Sequence, residues 1–151
     1  MDKKYYYFND EQREIVFNRY DMPTPWMNYL TNGEMYTMMS HAGGNLTWYK
    51  SPLIWRIGRY NFFNLPTDEC GMTVYIKDKK TGKYWNPNLI PCRTELDFWE
   101  SAHGLGYTRF VGEKDGLRVE LKCYMAKENV LIYSLDLKCE EDREVDVFAC
   151  Q

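Results

Sequence analysis

Histidine is scarce in this chain: His41 and His103 are the two in 151 residues. The five cysteines, Cys70, Cys92, Cys123, Cys139 and Cys150, contain no CxxC pair. Without clustered ligands at metal-site spacing, a His/Cys metal centre is not expected. An odd cysteine count with no paired spacing reads as free thiols in a reducing compartment. Met1-Asp2-Lys3-Lys4 leads straight into Tyr5-Tyr6-Tyr7-Phe8, not into a long apolar run. That start gives no secretion signal, and a cytoplasmic protein is expected. No run approaches the ~20 apolar residues that cross a bilayer, so no membrane partner is expected. Positive charge is also short, with 19 Lys and Arg against 22 Asp and Glu and a net charge of −3. Phosphate backbones are bound by clustered Lys and Arg, so no nucleic acid partner is expected. The nucleophile elbow and the P-loop are absent, and Gly104-Leu105-Gly106 is too short for a dinucleotide fingerprint. Capped amphipathic stripes at helical spacing are lacking throughout.

What the chain has is aromatic side chains, 17% of residues with 13 tyrosines, and β patterning. Aromatics favour strands, and their flat faces also suit sugar stacking and interfaces. Tyr5 to Phe8 and Arg13 to Phe17 flank Asn9-Asp10-Glu11-Gln12, which predicts a hairpin. Tyr36 to Ser40 and Leu46 to Lys50 flank Gly43-Gly44, where glycine permits positive φ. Val74 to Lys77 runs into Asp78-Lys79-Lys80-Thr81-Gly82. Thr108 to Val111 and Leu117 to Tyr124 flank Glu113-Lys114-Asp115-Gly116, and Asp-Gly is a strong turn signal. Leu117, Val119, Leu121 and Cys123 alternate with Arg118, Glu120 and Lys122. Tyr133, Leu135 and Leu137 alternate with Ser134, Asp136 and Lys138, and Val145, Val147 and Ala149 alternate about Asp146. A period of two predicts one buried and one solvated face, as in antiparallel sheets. One all-β domain over residues 1–151, an antiparallel β-sandwich, is the expected fold. The strand-like Glu144 to Cys150 runs to Gln151 with no cap, and such an exposed edge reads as a cut in a longer protein.

Few residues stand out for chemistry. Asp97 and Glu100 lie beside Phe98 and Trp99, sugar-like surroundings that also fit a solvated turn with aromatic packing. His103 has the best single claim among titratable groups, against a structural hydrogen-bonding role. Arg56 and Arg59 sit three apart in an aromatic segment; on a regular strand they face opposite ways, so one reaches hydroxyls or a partner and the other anchors a loop. Pro23-Thr24-Pro25-Trp26 fixes an extended path that Trp26 docks onto the sheet.

Several blocks, in order, carry a resemblance. They are Pro23-Thr24-Pro25-Trp26-Met27-Asn28-Tyr29-Leu30, Ser40-His41-Ala42-Gly43-Gly44, Trp48-Tyr49-Lys50, Arg56-Ile57-Gly58-Arg59-Tyr60-Asn61, Trp85-Asn86-Pro87 and His103-Gly104-Leu105-Gly106-Tyr107-Thr108-Arg109. Together they resemble the N-terminal β-sandwich of the inverting β-glycoside phosphorylases, the cellobiose, cellodextrin and laminaribiose phosphorylase group. The chain departs from that pattern at Gly58, Asn61 and Ala102, where the group carries threonine, arginine and arginine. The resemblance implies roughly the first half of a supersandwich, with the catalytic (α/α)6 barrel outside this chain. It implies a parent enzyme in which inorganic phosphate, as co-substrate, opens a β-glucoside oligosaccharide to α-glucose 1-phosphate with inversion, without an organic cofactor or metal. A homodimer is implied, with the sandwich as scaffold, dimer surface and active-site rim. No catalytic residue maps onto this chain; Tyr49, Arg56, Arg59 and His103 remain as substrate or interface candidates. The alternative reading is a free-standing carbohydrate-binding sandwich that stacks sugar on Trp48, Tyr49 or Trp99.

Overall fold

The structure is a computed structural model that describes residues 4–58 and 71–151. Arg59 and Cys70 therefore lie outside the described residues. Twelve strands and no helix are found among the described residues. In chain order they are β1 (Tyr6–Asn9), β2 (Glu14–Phe17), β3 (Met27–Thr31), β4 (Met35–Ser40), β5 (Asn45–Tyr49) and β6 (Thr73–Asp78). There follow β7 (Tyr84–Trp85), β8 (Phe98–Gly104), β9 (Tyr107–Lys114), β10 (Leu117–Met125), β11 (Leu131–Cys139) and β12 (Val145–Cys150). One sheet runs β1-β2-β8-β9-β10-β11, and two smaller ones run β12-β6-β7 and β3-β4-β5. All named pairings are antiparallel.

The hairpins fall where turn chemistry puts them. Lys114 pairs directly with Leu117, so Asp115-Gly116 is the whole loop. Both residues have positive φ, 50° and 77°, the geometry of a two-residue turn that matches strand twist. The alternation in β10 is carried into the core: Leu117, Val119, Leu121 and Cys123 are buried. They join Phe110 of β9, Leu30 and Met39 of β3 and β4, Val74 and Ile76 of β6, and Trp85 of β7 in one cluster. The two small sheets thus cover the inner face of the large one, a sandwich of two layers.

The pattern fades at one flank. Tyr133, Leu135, Leu137 and Val145 are only partly buried against the core. On β12, Val147 is 48% exposed and Ala149 is exposed, although the alternation predicts a buried face there. Among the described residues β12 pairs with β6 alone, so its outer side has no neighbour to complete the burial.

Candidate functional site

His103 is on β8, facing inward, and is buried. Its Nε2 lies 3.1 Å from the Trp26 carbonyl and its Nδ1 lies 3.1 Å from Thr108 Oγ1. A carbonyl can only accept, so the ring proton is on Nε2 and the Thr108 hydroxyl donates to Nδ1. Burial lowers the His103 pKa to about 4, with a contribution from His41 and against the bond to Trp26. The ring is neutral at physiological pH and both nitrogens are used, which is a structural role. His41 holds the same segment from the other side. Its Nδ1 accepts from the Trp26 N–H at 3.2 Å, its Nε2 reaches the Tyr20 carbonyl at 3.0 Å, and its own N–H donates to the Trp26 carbonyl at 2.8 Å. Phe17 packs between the two imidazoles, 5.4 Å from His41 and 5.1 Å from His103. Trp26 docks against Tyr6 and Phe17, as its proline-framed segment predicts.

The sequence blocks also interlock. Gly43 has φ +99°, and a Cβ there would stand 2.2 Å from Asn88 Nδ2. The Ser40 to Gly44 turn therefore packs directly on the Trp85 to Asn88 segment. Asn86 and Asn88 both donate their side-chain amides to the Ile90 carbonyl.

Tyr49 and Arg56 come together at the edge of the β3-β4-β5 sheet, away from His103. Trp48 of β5 bridges to Arg56, the Tyr49 N–H donates to the Trp55 carbonyl, and the Ile57 N–H donates to the Thr47 carbonyl. The Tyr49 hydroxyl stands 3.5 Å from Glu34 Oε2, and Lys50 lies over the Tyr49 ring. Arg56 is exposed, beside Leu53, Ile54, Trp55 and Ile57, which are all more than half exposed. Trp48 stacks on Tyr36 at 5.6 Å with ring planes 8° apart, so one indole face is occupied.

Sequence reasoning missed a buried charged group. Glu14 of β2 has no exposed side-chain surface and is gripped by Arg109 of β9, with Nε to Oε1 at 2.9 Å and Nη2 to Oε2 at 2.8 Å. Arg109 Nη1 also donates to Glu100 Oε1 at 2.9 Å, and the Tyr107 hydroxyl donates to Glu14 Oε1 at 2.7 Å. Burial alone would raise the Glu14 pKa; the Arg109 and Tyr107 hydrogen bonds outweigh it and hold the carboxyl below its usual range. Tyr107 is pushed up to about 12 by burial and by the Glu14 carboxylate. Arg109 is held protonated chiefly by the bond to Glu14. The group lines a polar cleft of about 480 Å3 with Arg118, Glu120 and Lys122. Its carboxylates are engaged by a cation, so neither is set up to donate a proton to a leaving group. The sequence places Glu14 and Arg109 ninety-five positions apart; only that each falls on a predicted strand was legible, and β8 lies between those strands in the sheet. Asp97 is a turn residue: its Oδ2 accepts from the Asp115 N–H at 2.7 Å and Oδ1 lies 3.6 Å from Lys114. No group of three or more potential metal-ligating side chains exists among the described residues. No helix among them is long and apolar enough to cross a membrane.

Comparison with known proteins fits this architecture. The family described as glycosyl hydrolase 94, supersandwich domain, matches residues 11–150. An N,N′-diacetylchitobiose phosphorylase of Vibrio furnissii is 31% identical over 143 residues, 93% of this chain and 18% of the relative. A Vibrio proteolyticus protein of the same name is 32% identical with the same coverage. A solabiose phosphorylase of Paenibacillus borealis is 30% identical over 146 residues, again 93% of this chain and 18% of the relative. The chain thus spans about a fifth of the length of these relatives. The match of residues 11–150 covers nearly every described strand, and this chain belongs to the glycosyl hydrolase 94 supersandwich-domain family.

Proposed function

We propose that this chain is the N-terminal scaffold of a larger glycoside phosphorylase acting on β-linked glucosides. In that reaction an oxygen of inorganic phosphate bonds to the anomeric carbon from the face opposite the glycosidic oxygen. The C1–O bond breaks, the departing sugar takes a proton from a carboxylic acid, and α-glucose 1-phosphate forms with inversion. The observation that carries this reading is the alignment of 93% of the chain with proteins named as phosphorylases. The internal chemistry supports the scaffold role. The buried carboxylate Glu14 is committed to Arg109, and His103 is committed to Trp26 and Thr108. The exposed apolar segment with Leu53, Ile54 and Trp55 supports a contact surface, for the rest of the polypeptide and for a second subunit. Tyr49 and Arg56 adjoin that segment, which favours an interface role over a catalytic one for both. Arg59, three residues beyond Arg56, is proposed for the same surface on its sequence position alone.

The test is a phosphorolysis assay on the 151-residue chain and on the longer protein that carries it. Cellobiose, laminaribiose and N,N′-diacetylchitobiose are offered with inorganic phosphate, and sugar 1-phosphate is measured. The longer protein is expected to turn over at least one of them and the isolated chain none. Turnover by the isolated chain overturns the scaffold role. Absence of phosphate-dependent release by the longer protein from every β-linked substrate overturns the phosphorylase reading.

A further inference from the structure

A cleft of about 910 Å3 lies between the Tyr20 to Pro25 segment and the Leu89 to Leu96 turn, and Trp99 of β8 lines it as well. Neither wall is regular secondary structure, yet buried polar side chains fix both. On one side His41, 2% exposed, ties the Tyr20 carbonyl at 3.0 Å and the Trp26 N–H at 3.2 Å, so the segment carrying Pro23 and Pro25 is strapped at each end. On the other side Leu89 is held at φ +71°, a conformation that L side chains rarely adopt. The amides of Asn86 and Asn88 keep it there by sharing the Ile90 carbonyl, and the Arg93 N–H donates to the Leu89 carbonyl at 2.6 Å. Strain that the surroundings over-determine is a feature of ligand sites.

Inside the cleft the Tyr20 ring stands perpendicular to the Trp99 indole, 6.2 Å away at 89°. The Trp99 Nε1–H is buried and has no hydrogen-bond partner among the described residues. A buried donor left unpaired costs stability that a ligand acceptor recovers. Tyr20 is 56% exposed, so most of its ring is open to a ligand in the cleft. Asp21, bound through both oxygens by Arg19 at 2.9 and 2.6 Å, is exposed at the rim with Arg93 and Glu95, while Leu89, Ile90 and Leu96 supply apolar surface.

We infer that this cleft is a carbohydrate-binding site for a β-linked disaccharide unit. A pyranose with equatorial hydroxyls presents C–H faces that suit the flat rings of Tyr20 and Trp99. Its hydroxyls accept from the indole N–H and donate to the Glu95 carboxylate. A β-linkage keeps the two rings in an extended ribbon, whereas an α-linkage bends the second ring away; the preference for β rests on the β-glucoside reading above. The ligand class rests on the carbohydrate reading above; the site itself is read from the geometry of this chain.

The experiment is a titration of the 15N-labelled chain with N,N′-diacetylchitobiose, cellobiose and maltose. The five tryptophans give separate indole N–H resonances, and Trp99→Phe identifies the one that matters. The Trp99 resonance is expected to shift saturably with a β-linked disaccharide at a dissociation constant of about 1–10 mM, the weak end of the affinity scale. Tyr20→Ala is expected to weaken that binding at least about fivefold, and maltose to bind at least about fivefold more weakly than cellobiose. A dispersed, folded spectrum whose Trp99 resonance stays fixed at saturating sugar overturns the inference, and an equal response to maltose overturns the β-linkage claim. If the isolated chain gives a collapsed spectrum, the fluorescence difference between the longer protein and its Trp99→Phe variant is titrated instead. A saturable difference then supports the site, and a difference that sugar leaves unchanged overturns it. Failure here with intact phosphorolysis leaves the proposed function standing; failure of phosphorolysis with a shifting Trp99 resonance does the reverse.

Discussion

Replacing Arg109 by methionine tests the energetic logic of the large sheet. The substitution keeps much of the aliphatic stem and deletes the guanidinium that spans Glu14 and Glu100. Glu14 has no exposed side-chain surface, and the variant leaves it the Tyr107 hydroxyl as a side-chain hydrogen-bond donor. Breaking a buried pair from one side costs about 3–5 kcal/mol, because the remaining charge is stranded. A domain of this size carries about 5–15 kcal/mol in total, so the variant is expected to fold with a much lower midpoint. With a urea dependence of about 2 kcal/mol per molar, the loss moves the midpoint by about 2 M. The pH dependence supplies the sharper check. In the native chain Glu14 is held below its usual range, so its contribution is present above the unfolded carboxyl pKa and is lost as pH falls through the folded one. Without Arg109, burial dominates and the folded pKa rises above the unfolded value. The penalty is then greatest at neutral pH and shrinks as acidification neutralises the carboxyl, by at most about 1.4 kcal/mol per pH unit. Urea unfolding followed by tryptophan fluorescence at pH 7.5 and 5.0, for both proteins, reads the difference. Adding Glu14→Gln to Arg109→Met should restore part of the loss, because the stranded charge is gone. A difference below about 1 kcal/mol, or one that widens on acidification, would refute the reasoning.

Two further outcomes are expected. The imidazole of His103 should show no titration between pH 5.5 and 7.5 by NMR and a midpoint at about 4; a midpoint near 6.5 would mean that the ring is not held between Trp26 and Thr108. Because the unfolded histidine binds a proton that the folded one refuses, this group removes stability as pH falls from 6.5 to 4, by about 3 kcal/mol at most, and His103→Gln should flatten that part of the curve. Gly43→Ala should cost about 2–4 kcal/mol, since its Cβ meets Asn88 and its backbone stays left-handed, lowering the thermal midpoint by roughly 5–15 °C in a calorimeter; an unchanged midpoint would show that the two turns do not pack together.

The sequence by itself determined the local half of this protein. The Asp115-Gly116 hairpin, the Gly43 turn and the buried face of β10 follow from turn chemistry and from a period of two, both of which act over a few residues. The motif blocks also carried the family, and the supersandwich match to residues 11–150 agrees. The tertiary structure decided what those blocks are for. His41 and His103 were two isolated histidines in the sequence; in the fold they grip the backbone of one residue, Trp26, from the turn after β4 and from β8. Glu14 and Arg109 meet because β2, β8 and β9 are neighbours in one sheet. That adjacency depends on long-range pairing, which local periodicity does not encode. Likewise the alternation of β12 promises a buried face, but burial also requires something to lie against it. Val147 stays half exposed because β12 pairs on one side alone among the described residues. The cleft at Tyr20 and Trp99 has the same origin, since its walls come from segments some seventy residues apart that only the packed sandwich brings face to face.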